Sequence, residues 1–280
     1  MVPAVKIHCV SVVRDEADIL DYSLDAALRW AHVIHILDNG STDGTWELLE
    51  EYAAREPRVV LAGRHEGEFE NAIRGEVGER AAADAKPGDW WCRLDADELY
   101  VDDPREILAD LPPEFGAVFS ASIEYYFTDV DLHAYEADPD GYVANWSPNM
   151  MRYYAAHWGE RRFVRYHADK PWSGAWPRDS SRLAGARQRV RLRHFKYRTP
   201  PQIERRVRRR LDPVVGKAFR HETGWPEFEA WSEHLLFPEL APGEPLWKSR
   251  VLRSDGLHFD AQDGEYVIDW DALPPVQRGR

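Results

Sequence analysis

Along the first 127 residues, apolar runs and amphipathic stretches take turns. "VKIHCVSVV" (5–13) is a continuous apolar, β-branched run, the pattern of a strand covered on both faces. "EADILDYSLDAALRWA" (16–31) places Ile19, Leu20, Leu24, Ala27 and Leu28 at helical spacing. "HVIHILD" (32–38) predicts a second strand, and "GSTDGTWELLEEYAARE" (40–56) turn and cap residues followed by a helix. The same reading gives strands over 58–64, 89–95 and 116–127, and helices over 70–85 and 103–112. Strands alternating with helices of this length imply right-handed crossovers and an α/β fold with a mostly parallel sheet. Periodicity fades over 128–192. Within it and at its end, "RRFVRY" (161–166) and "RVRLRHFKYR" (189–198) alternate as half-buried strands do, and an Arg-rich helix is expected over 200–213. A Trp-rich helix follows near 225–240.

Composition adds a division to this picture. The 280 residues carry a net charge of −13, with 44% hydrophobic residues, which is globular and not disordered composition. Residues 1–140 hold 11 basic and 32 acidic side chains; the remainder holds 25 and 17. An α/β half at 1–127 and a basic half at 128–280 therefore present different surfaces, within one continuous domain carrying a C-terminal extension. The acidic first half argues against a nucleic-acid partner. With no apolar run of 18 residues, the sequence predicts at most peripheral membrane contact. Two cysteines, Cys9 and Cys92, sit in apolar runs and read as small buried thiols, which suits a cytoplasmic setting.

Candidate chemistry sits where strands end. In open α/β sheets, ligands bind beyond the carboxyl ends of the strands. Those ends carry Arg14-Asp15-Glu16, Asp38-Asn39, Arg64-His65 and Asp95-Ala96-Asp97-Glu98. Close carboxylates raise one another's pKa unless a cation sits between them. Mg²⁺ or Mn²⁺ takes one or two carboxylates plus substrate phosphates, so "DAD" at a strand end is a plausible half-site for a metal-bound diphosphate.

Three stretches, in order and spacing, carry a family resemblance: "VVRDEADILDYSL" (12–24), "ILDNGSTDGTWELLEEY" (36–52) and "WCRLDADELY" (91–100). Together they resemble family 2 glycosyltransferases, which implies a Rossmann-like GT-A sheet flanked by helices, with an irregular, basic acceptor-side region after it. The resemblance covers roughly residues 5–127, with a weaker echo at "RHFKYRTPPQIERR" (193–206). It implies an inverting, metal-dependent sugar transfer from a nucleoside-diphosphate sugar, UDP-sugar favoured, to a small-molecule, lipid-linked or glycan hydroxyl. By position, Arg14, Glu16, Asp38, Asp43, Arg74 and Asp95 would serve the nucleotide sugar, with Asp43 equally suited to capping the next helix. Asp97, with Asp95 and His194, would hold Mn²⁺ or Mg²⁺, and Glu98 would face the acceptor. The proton acceptor would come from Asp179, Glu124 or Glu98, with Asp129 behind them. Trp146, Trp158, Trp172 and Trp176 could stack on sugars or fill a small core. Arg205, Arg206 or Arg209 could reach a diphosphate or anionic lipid. A nucleotidyltransferase is the alternative enzyme, disfavoured by the acidic "RDEAD" loop where a triphosphate needs a glycine-rich basic one. A membrane-surface or partner-binding module would leave the strand-end acids without a purpose.

Overall fold

The computed structural model describes residues 5–157, 159–212 and 233–260. Its elements in chain order are β1 (Ile7–Val13), α1 (Leu20–Ala27), β2 (Val33–Asp38), α2 (Thr45–Arg55), β3 (Val59–Arg64), α3 (Asn71–Ala81), β4 (Trp90–Arg93), β5 (Glu98–Tyr100), α4 (Pro104–Ala109), β6 (Phe115–Tyr125), α5 (Asp129–Ala137), α6 (Pro139–Ala144), β7 (Tyr153–His157), β8 (Arg161–Arg165), β9 (Trp172–Ser173), β10 (Trp176–Pro177), β11 (Ala184–His194), α7 (Pro200–Arg210) and β12 (His258–Phe259). They fall into two compact units. The first takes Met1–Ser122 and His157–Arg193, the second Ile123–Ala156 and the described residues from His194 onward. Trp158, residues 225–232 of the expected Trp-rich helix, and the tail after Asp260 lie outside the described residues.

In the first unit, β1 pairs in parallel with β2 and β4, and β2 pairs in parallel with β3. β8 runs antiparallel to β4 and, along its other edge, antiparallel to β6, giving the order β6-β8-β4-β1-β2-β3. The sheet is therefore mixed: parallel through its first four strands, antiparallel where the chain returns. β11 bonds alongside β5, with Val101 N–H donating to the Arg191 carbonyl at 3.0 Å. No helix among the described residues is long and apolar enough to cross a membrane.

Both faces of the parallel strands are covered, which is why these strands read as unbroken apolar runs. One face packs Ile7, Cys9, Leu20, Leu24, Trp30, Leu49, Trp90 and Phe163; the other packs Val10, Ile73, Val77, Trp91 and Trp172. Cys9 and Cys92 are free thiols facing each other in register. Helix α3 meets the β9–β10 hairpin through glycine: a Cβ on Gly75 would stand 2.8 Å from the Gly174 carbonyl oxygen. Trp172 and Trp176 stack there, centroids 6.3 Å apart.

In the second unit, β12 pairs antiparallel with β7, and Leu235 bridges Leu252. Helices α5 and α6 lie in the stretch whose sequence shows little periodicity. Their short lengths hide the period, yet their starts are written in cap residues. Thr128 and Asp131 form a capping box, and Asp138 accepts from Gly141 N–H ahead of Pro139 at the first helical position.

Candidate active site

Three loops meet at the carboxyl edge of the parallel strands in the first unit. The first two are stitched together by hydrogen bonds. Asp15, at φ 54°, turns the chain out of β1 and accepts from Thr42 N–H at 2.8 Å and the Thr42 hydroxyl at 3.3 Å. Asp15 N–H donates to Ser41 Oγ, and Glu16 N–H donates to Thr45 Oγ1, each at 2.9 Å. Asp43 accepts from Thr45 N–H at 3.1 Å, from the Thr45 hydroxyl at 2.6 Å and from Ala17 N–H at 3.2 Å. These bonds tie Asp43 to the start of α2 and to the loop after β1, while the residue at the head of the helix is Gly44, at φ 97°. These bonds also occupy the N–H groups of Glu16 and Ala17, and α1 begins at Leu20 and not at residue 16.

Asp38 ends β2 and is 0% exposed. Its Oδ1 accepts from Gly40 N–H at 3.0 Å and Ser41 N–H at 3.1 Å, and Arg64 Nε stands 3.1 Å away. Asn39 donates from Nδ2 to the Gly67 carbonyl at 2.8 Å, while its buried Oδ1 has no hydrogen-bond partner among the described residues. Arg14 lies beside Asp15, Nε to Oδ2 at 3.8 Å.

The third loop carries the acid triplet, and arginines surround it. Arg74, reaching from α3, donates from both terminal nitrogens to Asp95 Oδ1 at 3.0 Å. Arg162, from β8, donates to Asp95 Oδ2 at 2.7 Å and pairs with Glu98, whose side chain is 0% exposed. Arg93, from β4, lies 3.6 Å from Asp95 Oδ2 and pairs with Glu160. Burial alone would push the Asp95 carboxyl up; Arg74, Arg93 and Arg162 overcome this and hold it well below the usual carboxylate range. Burial likewise opposes the charge on Arg162, but Glu98, Asp95 and Glu160 raise its pKa above the ordinary value. Asp97 is buried beside them.

The divalent cation expected at Asp95 and Asp97 fits this donor set poorly. Both Asp95 oxygens already accept guanidinium hydrogen bonds, and Glu98 is held by Arg162. A dication at Asp95 would approach three guanidinium groups. Among the described residues, no group of three or more His, Cys, Asp or Glu side chains could hold a metal ion.

The other expected residues are dispersed. Asp179, at φ 59°, pairs with Lys170 and Arg182 at 3.6 Å. Its chain neighbours Arg178 and Ser180 line a crevice with Arg165 and His167. Arg165 is opposite Trp90, so this crevice lies where β4 begins, away from the edge where it ends. Glu124 belongs to the second unit; Tyr126 donates to its Oε2 at 2.9 Å, and His194 Nδ1 and Lys196 Nζ stand 3.4 and 3.7 Å from its Oε1. Asp129 accepts from Ser254 N–H at 2.9 Å. Trp146 and Trp172 are buried core residues, and Trp176 is half-buried. On α7, Arg206 lies over the Tyr197 ring at 5.8 Å. Burial would raise the Tyr197 hydroxyl, but Arg250, Arg210, Lys196 and Arg206 pull it down to about 8.

Arg93 and Arg162 did not stand out in the sequence as site residues, whereas Asp15 was visible within the charged end of the first strand. A signal existed for both arginines: Arg93 is on the strand two positions before Asp95, and Arg162 shares a face of β8 with buried Val164. The pairing of β8 against β4, which brings Arg162 to Asp95, has no local signature.

Residues 9–132 match a family described as Glycosyl transferase family 2. No curated protein matches the chain. Among solved structures, a mannosyltransferase from Pyrobaculum calidifontis in complex with GDP-Man and Mn²⁺ is 19% identical, with a TM-score of 0.35, covering 42% of this chain and 35% of that one. S. aureus TarS 1–349 in complex with UDP is 15% identical, with a TM-score of 0.30, covering 44% of this chain and 36% of that one. The chain thus spans little more than a third of the length of either.

Proposed function

From a chain whose residues 9–132 match glycosyl transferase family 2, we propose an enzyme that moves a sugar from a nucleoside-diphosphate sugar to an acceptor hydroxyl. The observation that carries this reading is the convergence of Asp15, Asp38, Arg74 and Asp95 on one edge of the parallel strands. Loops joined this firmly are pre-organised, which limits the ordering cost of binding a ligand.

The chemistry follows from the charges. As the anomeric bond breaks, positive charge grows on the sugar and negative charge on the departing diphosphate. Fixed guanidinium groups at the strand edge offset the second. Asp38 and Asp43 shape the loop on which the nucleoside rests, and Arg74 orders the acid triplet from the side of α3. The acceptor hydroxyl attacks in a single displacement, which inverts the anomeric carbon, and one carboxylate takes its proton. Glu98 is closed off by burial and by Arg162, and Asp179 lies at the opposite strand edge.

A thermal-shift panel of nucleoside diphosphates tests the reading. A ligand present at a hundred times its Kd stabilises the folded state by about 2.7 kcal/mol. For a chain of this size that is a rise of roughly 4–8 °C in Tm. At least one diphosphate is expected to produce it, with the matching nucleoside producing far less. A flat panel across all common bases would overturn the proposal.

A further inference from the structure

The arginine cluster also answers what meets the charge on the diphosphate. We propose that Arg93, and not a divalent cation bridged through Asp95, contacts the donor's diphosphate, so that nucleotide binding needs no added metal. This rests on the sugar-transfer reading above.

Three observations converge. First, Asp95 has both oxygens committed to Arg74 and Arg162, which leaves it a poor ligand for an ion. Second, the three guanidinium groups differ in freedom. The Arg74 and Arg162 side chains are 8% and 6% exposed and fixed, whereas Arg93 is 21% exposed and pairs with Glu160, itself 49% exposed. Through Glu160 this pair reaches solvent, where a phosphate can compete with the carboxylate for the guanidinium. Third, Arg93 is anchored at its inner end. Its buried Nε stands 3.6 Å from Asp95 Oδ2, so the outer nitrogens, one of them on Glu160, are the ones a ligand can reach. The guanidinium carbon lies 6.0 Å from the centroid of the Trp176 ring. A planar fork whose outer nitrogens are released from Glu160 suits two phosphate oxygens at once. Arg74 and Arg162 neutralise Asp95 and so keep the acid triplet from repelling the incoming diphosphate.

Calorimetric titration of the full chain with UDP, GDP, ADP, CDP and TDP, each in EDTA and again in MnCl₂, reads the difference. The best diphosphate is expected to bind in EDTA with a Kd within about threefold of its value in Mn²⁺, less than 1 kcal/mol apart. Arg93→Ala should raise that EDTA Kd by about tenfold or more, and Arg93→Lys by less, since it keeps the charge and loses the fork. If Arg93→Ala unfolds, Glu160→Gln supplies the opposite test: releasing Arg93 should tighten binding in EDTA by about threefold. Binding seen in Mn²⁺ and abolished by EDTA would overturn the inference and leave the sugar-transfer reading standing. Unchanged EDTA binding in both Arg93→Ala and Glu160→Gln would do the same. No binding of any diphosphate in either buffer would overturn both.

Discussion

Asp38 shows what one residue can hold together. Its carboxylate is fully buried and bonded to Gly40 N–H, Ser41 N–H and Arg64. Replacing it by alanine would strand two backbone donors and leave Arg64 without its buried partner. Asp38→Ala is therefore expected to cost about 3 kcal/mol of stability, read as a lower urea midpoint with no ligand present. An unchanged midpoint would reduce Asp38 to a ligand contact. In the sequence, Asp38 stood out as a candidate because a charge at the end of an apolar run is hard to explain otherwise. That the charge is spent inside its own loop was not legible, because it depends on Arg64 arriving from the neighbouring strand. Asp95 is the same case at larger scale. Its position at a strand end could be read from residues 89–95, but its three arginines come from α3, β4 and β8.

Helix α3 carries a lesson about elements. Its glycines look like weak helix positions, since Gly is about 1 kcal/mol less favourable than Ala in a helix interior. Propensity alone predicts that Gly78→Ala stabilises. The structure predicts the reverse: a Cβ on Gly78 would overlap the Trp172 indole, which is 8% exposed and packed against Trp91 at 5.3 Å. Gly78→Ala is expected to destabilise by about 1–3 kcal/mol, and the tryptophan emission should shift as the hairpin moves off the helix. A stabilised variant with unchanged emission would contradict this packing. The periodicity of 70–85 sufficed to place the helix, with its small-residue face visible in the sequence. What covers that face lies about 95 residues further on, in a hairpin of four paired residues too short to leave a pattern.

Across the whole molecule, pH acts on the two units with opposite sign. In the first, His8, His32 and His35 are pushed below the ordinary 6.5 chiefly by burial, which for His8 outweighs its 3.0 Å contact with Asp89. Above pH 6.5 these groups are neutral folded or unfolded and add no pH dependence. Below it the unfolded chain takes up protons that the folded unit refuses, so stability falls as the pH drops toward the folded values. In the second unit, burial pushes Asp131 up to about 6 from 3.8, against the bonds it accepts from Thr128. It gains a proton on folding in that window, so this unit gains stability as the pH falls from about 6. Hydrogen exchange, corrected for its intrinsic pH dependence, should show protection falling in β1 and β2 and rising around α5 between about pH 7 and pH 5. Parallel changes in both units would contradict the assignment. The order of the strands has a consequence of another kind. β8 is inserted between β4 and β6, although both precede it in the chain. A ribosome making about 5–20 residues per second delivers the segment that matches the family, and then roughly thirty more residues, before β8 emerges. Until then β4 and β6 each wait with an open edge, and Asp95 and Glu98 lack the arginine they share. For those seconds the nascent chain holds its acid triplet without Arg162 and its central sheet without closure, which makes them the interval in which a chaperone has most to shield.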